Sequence, residues 1–342
     1  MTDTFHVRGR LAPSPTGFLH LGNAWAFLLA WLACRSRGGT LVLRMEDIDP
    51  DRSRPEYETA IIDDLHWLGL DWDEGPDLPC SPHGPYRQSE RLPLYRDFLQ
   101  RLRAAGQAYP CYCTRKELRL LAGAPHVGDM GAPYPGTCRH LSREQREAFE
   151  AAGRHPCLRL LCPEQAFSFV DAIHGPVALT LTECGGDFAL QRSDGVISYQ
   201  LAVAVDDGLM GINQVVRGED ILLSTPRQLA LFDLLALPRP TEYMHVPLLC
   251  DASGERLAKR HASLSLRALR EKGAAPENIV GYLAQKAGFT AGTTAEPRTP
   301  AQLLDLFSVS ALRRLQSPLC IEDNIVDRLL SPANTLPFST HC

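Results

Sequence analysis

Lysine is almost missing from this chain. Only Lys116, Lys259, Lys272 and Lys286 occur, and arginine supplies the rest of its 35 positive side chains. The formal net charge is −5, so there is no overall basic field of the kind that coats nucleic acid without selectivity. A local basic face stays open. Long apolar runs are also lacking. The longest, Ala24–Cys34, is too short to cross a bilayer. The first ten residues, MTDTFHVRGR, hold no apolar stretch of a secretory leader. A cytoplasmic protein without membrane contact is the expectation. Internal repeats and low-complexity tracts are absent too. Cysteine, by contrast, is plentiful but odd in number, at 11. In a reducing compartment such thiols are expected to fill apolar space rather than form a disulfide framework. With 342 residues, 44% of them hydrophobic, the chain can bury one large core or two ordinary ones.

Along the chain, apolar patterning alternates between strand and helix. VRGRLA reads as a strand, followed by a Pro/Gly loop and a helix from His20 to Ser36. Gly39–Asp49 reads as a buried strand ending in acids, and Pro55–Leu68 as an amphipathic helix. This order predicts a parallel α/β sheet. Ser89–Ala105 is another helix, and an irregular Gly/Pro/Cys segment follows to about Leu141. Short strands are predicted from Arg159 to Leu181. A hairpin over Phe188–Asp207 is predicted, turning at Asp194-Gly195. Leu223–Leu237 reads as a helix capped by Ser224 or Thr225, Tyr243–Asp251 as a strand, and the chain beyond Leu264 as mainly helical.

The loop between the first strand and helix, LAPSPTGFLHLGN, concentrates backbone control. Unpaired N–H groups at a helix start, together with the helix dipole, suit an anion such as phosphate. The prolines fix the loop's path, and Gly22 permits close backbone approach. His20 is placed to donate to a phosphate or ribose. Taken alone, the loop is equally an ordinary βα connection with a capping histidine. A second feature is the polar loop GERLAKRHAS, which carries Lys259 and Arg260 just after a strand.

Together these loops resemble the two signatures of the class I aminoacyl-tRNA synthetases. The HIGH-like motif covers Pro13, Ser14, Pro15, Thr16, Gly17, His20, Leu21, Gly22 and Asn23. The KMSKS-like motif covers Arg256, Leu257, Ala258, Lys259 and Arg260, with Arg256 and Ala258 departing from the usual lysine and serine. RMEDIDPDRSRPEY, DWDEGPD, YRQSERLPLYRDFLQRL and VVRGEDILLSTPRQ narrow the likeness to the glutamyl-tRNA synthetase family, over roughly residues 8 to 290. Only 83 residues follow Lys259. The chain is therefore similar to the short paralogues in that family, which have no anticodon-binding domain.

The resemblance implies a Rossmann-like parallel-sheet catalytic domain, with a zinc-bearing insertion and a short C-terminal helical segment. The implied division is 1–107 and 188–263 for the catalytic halves, 108–187 for the insertion and 264–342 for the helical segment. It also implies activation of L-glutamate by ATP and Mg²⁺ without tRNA, then transfer to the queuosine base in the anticodon of tRNA(Asp). A truncated but orthodox synthetase charging the tRNA 3′ end is the alternative, and a non-catalytic binding module a more distant one. His20 and Lys259 are the implied catalytic residues, with Gly22 and Asn23 completing the ATP site. The family's glutamate contacts match Arg10, Ala12, Pro13, Ser14, Glu46, Tyr199 and Arg217, with Leu11 among them. Arginine suits a carboxylate fork, and Glu46 can accept the substrate ammonium. A monomer is expected.

Cys111, Cys113 and Cys138 place three soft donors within 28 residues, enough for tetrahedral zinc with one more ligand. Tyr134 matches the fourth ligand of the short paralogues, and His140 that of some full synthetases. Imidazole is the better neutral-pH donor; family type favours the phenol.

Overall fold

The computed structural model describes residues 6–79, 82–114, 116–118, 134–255, 257, 264–292 and 295–330. Strand β1 (Arg8–Leu11) leads through the Pro/Gly loop into α1 (Leu21–Arg35), and β2 (Thr40–Leu43) returns parallel to β1, with Arg8 opposite Thr40 and Leu11 opposite Leu43. Helix α1 is apolar nearly all round because it is covered on several sides. Trp25, Leu28, Leu29, Leu32 and Cys34 are all buried. Its Trp25 indole donates to the Pro247 carbonyl at 2.7 Å. The turn after it is tight: a Cβ at Gly39 would lie 2.7 Å from the Cys34 sulfur and 2.8 Å from the Val7 carbonyl oxygen.

Helix α2 (Pro55–Trp67) starts on a proline with Glu56 and Glu58 in its first turn, as a helix N-terminus favours. Helix α3 (Leu92–Ala104) buries Tyr95, Phe98, Leu99 and Leu102. Strand β3 (Ala108–Cys111) then pairs antiparallel with β4 (Cys157–Leu160), after the short helix α4 (Arg143–Ala151). The hairpin β5 (Ala166–Asp171) and β6 (Gly175–Thr180) follows, and then β7 (Ala189–Gln191), which completes the β3–β4 sheet.

From Tyr199 the structure departs from the predicted hairpin: only β7 and its turn are as expected, and Tyr199–Leu209 is helix α5. Ser198 caps it by accepting from the Leu201 N–H, and both faces are buried, which masks the helical period. Strands β8 (Gln214–Gly218) and β9 (Glu242–Val246) are parallel and flank α6 (Ser224–Leu234). The N-cap of α6 is Leu223, without a side-chain cap, so neither Ser224 nor Thr225 plays the predicted role. The sheet order is β6–β5–β9–β8. Strand β1 lies beside β8, joined by the Asn213 N–H to the Arg8 carbonyl at 3.0 Å. The class is α/β with parallel strands, as patterning predicted. The predicted Gly39–Asp49 strand is shorter, because Arg44 and the acids after it turn to other partners. Beyond Leu264, α7 (Leu266–Glu271) and α8 (Pro276–Lys286) are followed by shorter pieces. These include the two-residue strand β11 (Leu319–Cys320), which pairs parallel with the earlier β10 (Leu249–Cys250), so this region is less helical than predicted. Every described cysteine is a free thiol. Among the described residues no helix is long and apolar enough to cross a membrane.

Candidate functional site

A cavity of about 1070 Å³ opens where the parallel strands β1 and β8 end, the place where α/β sheets bind ligands. It draws together most of the residues singled out from sequence. Arg10, Ala12, Pro13, Ser14, Thr16, Gly17, His20, Gly22, Asn23, Glu46, Tyr199, Arg217 and Leu257 all line it. Leu11, Pro15 and Leu21 are buried instead and do not line it. Arg256, Ala258, Lys259 and Arg260 lie outside the described residues.

One half of the cavity is the start of α1. His20 is its N-cap. The Gly22 N–H donates to His20 Nδ1 at 3.1 Å, and Asn23 Oδ1 accepts from the His20 N–H at 3.0 Å. A neutral His20 ring so placed carries its proton on Nε2, a donor that suits phosphate. Glycine at 22 leaves room for this cap, since a Cβ there would meet the His20 ring at 3.1 Å and push it aside by a few tenths of an ångström. The same Cβ would meet Leu257 at 3.7 Å, and Ser265 bridges to His20 in antiparallel fashion. Leu257 of the second signature and Ser265, which follows that loop, therefore both lie beside the first.

The other half holds the charged groups. Arg10 and Arg217 stand on the neighbouring strands β1 and β8, both buried. Arg10 Nη1 donates to the Val216 carbonyl at 3.1 Å, and its Nε lies 3.6 Å from Asp207 Oδ1. Arg217 donates from Nε to His245 Nε2 at 3.0 Å, from Nη1 to Gln228 Oε1 at 2.9 Å and from Nη2 to Thr225 Oγ1 at 2.8 Å. Glu46 follows β2, its N–H bonded to the Pro13 carbonyl at 2.9 Å. Burial pushes its carboxyl up to about 7 against the pull of Arg44 and Arg10. Tyr199 heads helix α5 rather than lying at a sheet edge, and burial raises its phenol.

Beneath these groups lies a layer that the motifs did not reveal. Arg44 is fully buried, with Nη1 on Asp207 at 2.7 Å and Nη2 3.3 Å from Glu46. Asp206 next door accepts from Arg91 at 2.7 Å, Gln88 at 2.9 Å and Tyr95. Below Arg217 sit His245 and Asp171. A signal existed for part of this layer: AVAVDD sets two acids, and TLVLRM one arginine, inside apolar stretches, where a charge needs a buried partner.

Away from the cavity, the sulfurs of Cys111, Cys113 and Cys138 lie within 4.8 Å of one another, those of Cys113 and Cys138 at 3.6 Å. Tyr134 OH is 3.4 Å from the Cys111 sulfur and accepts the Cys138 N–H at 2.8 Å. His140 is exposed and outside this group. Cys157, not singled out from the sequence, faces Cys111 across β3 and β4. Its hydrogen bond is the main pull holding the Cys111 thiol well below the usual range, against burial. Three soft donors plus an adjacent phenol fit the ligand set of tetrahedral zinc.

The family described as "tRNA synthetases class I (E and Q), catalytic domain" matches residues 6–317. A protein of Nitratidesulfovibrio vulgaris named glutamyl-Q tRNA(Asp) synthetase is 58% identical over 323 residues, which is 94% of this chain and 98% of that one. One of the same name from Symbiobacterium thermophilum is 51% identical over 307 residues, 90% of this chain and 94% of the relative. The crystal structure of a glutamate-tRNA synthetase from Elizabethkingia anophelis matches with a TM-score of 0.76 at 26% identity, covering 94% of this chain and 69% of that one. The chain belongs to the class I tRNA synthetase family of E and Q type, and within it to the glutamyl-Q tRNA(Asp) synthetases.

Proposed function

We propose that this protein activates L-glutamate with ATP, needing no tRNA for that step, and then transfers the glutamyl group to the queuosine base in the anticodon of tRNA(Asp). The observation that carries this reading is the shared cavity: a helix start built for phosphate and two arginines with a carboxylate built for an amino acid line the same space. In the first step a glutamate α-carboxylate oxygen attacks the α-phosphorus of ATP. The bond to pyrophosphate breaks and glutamyl-adenylate forms. The carboxylate is already a nucleophile, so catalysis is positioning and neutralisation of charge. His20, through Nε2, holds the triphosphate at the helix start of Gly22 and Asn23, Lys259 offsets the charge leaving with pyrophosphate, and Mg²⁺ accompanies ATP. Arg10 and Arg217 take substrate carboxylates, Glu46 accepts its ammonium, and Tyr199 and Ser14 supply hydrogen bonds, with Ala12 and Pro13 against the ligand. In the second step a queuosine hydroxyl takes the glutamyl carbonyl and AMP leaves.

The cysteine cluster would hold one structural zinc through Cys111, Cys113, Cys138 and Tyr134. It would pin the insertion, 108–187, where the local core is small. The tRNA substrate makes the cytoplasm the working compartment, and the protein is proposed to act as a monomer. The test is glutamate-dependent exchange of pyrophosphate into ATP without tRNA, followed by nuclease digestion and mass analysis of glutamylated tRNA(Asp). Exchange together with glutamate on the anticodon base supports the proposal. Glutamate on the 3′-adenosine would instead favour an orthodox synthetase, and absence of exchange would sink the reading.

A further inference from the structure

Arg217 is held by a polar chain that runs away from the cavity. Asp171, at the end of β5, accepts from the His245 backbone N–H at 3.0 Å and lies 2.7 Å from His245 Nδ1 through the same oxygen. Its other oxygen accepts the N–H groups of Ile173 and His174 at 2.9 and 3.0 Å, so the carboxylate is fixed from two sides. A carboxylate can only accept, which puts the His245 proton on Nδ1 and leaves Nε2 as an acceptor. Nε2 in turn accepts from Arg217 Nε at 3.0 Å and lies 3.1 Å from Thr225 Oγ1. His245 is fully buried. Of the five N–H groups of a guanidinium, the one on Nε and one on each terminal nitrogen are engaged here. One N–H on each terminal nitrogen has no acceptor among the described residues.

We propose that His245 is the positioning residue for the glutamate carboxylate: through its fixed acceptor nitrogen it sets the rotation of Arg217, so that the two remaining N–H groups meet the ligand as a fork. The inference rests on the proposed reading of the cavity and adds to it how one arm is aimed. Loss of a single buried hydrogen-bond partner of this kind changes binding by about tenfold.

Glutamate-dependent pyrophosphate exchange in H245A, H245Q, R217A and H245A/R217A, with glutamate and ATP varied separately, tests this. The expected result is a rise of about tenfold in the glutamate KM of H245A with the ATP KM within twofold of wild type. H245Q, whose amide oxygen can accept from Arg217, should recover most of it, and H245A should add nothing in the R217A background. An unchanged glutamate KM in H245A would overturn the proposal. So would equal rises for both substrates, or a full further loss on top of R217A. If H245A does not accumulate as folded protein, H245M, which fills the space without a nitrogen or oxygen acceptor, takes its place: a tenfold rise in the glutamate KM beside a near-wild-type H245Q upholds the role, and an unchanged glutamate KM in H245M rejects it. Wild-type protein inert in the assay would remove the functional reading and this inference together, whereas an active wild type with an indifferent H245A removes only the inference.

Discussion

Asp207 Oδ1 sits between two buried arginines, 2.7 Å from Arg44 Nη1 and 3.6 Å from Arg10 Nε. This acid is shared by two buried cations, of which Arg44 also leans on Glu46 and Asp206, and those cations hold its own carboxyl below the ordinary range against the effect of burial. Asp207→Asn keeps the shape and removes the charge. It should lower stability by about 3 kcal/mol, since the partners of a buried ion pair are left uncompensated. The glutamate KM should rise about tenfold as Arg10 loses its orientation. Urea unfolding with exchange kinetics measures both, and an Asn variant as stable as wild type would contradict the balance described here.

Glu46 makes the pH dependence specific. Its carboxyl is raised to about 7 by burial, so it is only partly ionised at neutral pH in the free protein. A protonated Glu46 cannot accept an ammonium as a carboxylate does. The glutamate KM should be flat near pH 8 and climb towards tenfold per unit below about pH 7. The same shift acts on stability with a definite sign. A folded-state value above the unfolded one favours folding at low pH, and that contribution is lost as pH rises through 7. At pH 8 Glu46→Gln should thus be more stable than wild type, by on the order of 2 kcal/mol, while failing to bind glutamate. Thermal melts at pH 5 and 8 separate the two effects.

At the helix start, His20→Ala removes both the cap and the phosphate donor. Loss of the cap should cost about 1 kcal/mol of stability. Exchange should fall roughly 10²-fold, the usual scale for one lost preorganised donor. Gly22→Ala should show a similar kinetic loss by displacing the His20 ring. Lys259→Ala should also fall about 10²-fold with the glutamate KM intact; undiminished exchange would dismiss its role.

For the cysteine cluster, purified protein should contain one zinc per chain by atomic emission. Cys138→Ala should lose it, Tyr134→Phe should bind it more weakly, and His140→Ala should keep it, because that imidazole is exposed and outside the sulfur cluster. Full zinc in Cys138→Ala would reject the site. Cys157→Ser reports whether the facing thiol only supports Cys111 or competes for the metal.

Much of this could be read in the linear chain. The strand–loop–helix around His20, the parallel α/β class and the three cysteines depend on local rules, such as helix ends, apolar period and donor chemistry, which act over a few residues, whereas Arg10, Glu46 and Arg217 became candidates through the resemblance of the motifs around them. The structure decided what depends on distant partners. Tyr199 heads a helix because α5 is buried on both faces, so packing overrode an alternation that looked like a strand. Tyr134 rather than His140 meets the sulfurs because the loop's path sets which donor points inward. Above all, Arg10 answers to Asp207 and Arg217 to His245 and Asp171, partners 197, 28 and 46 positions away in the chain. A buried charge demands a counterpart, but the sequence does not say which one; only the three-dimensional neighbourhood does.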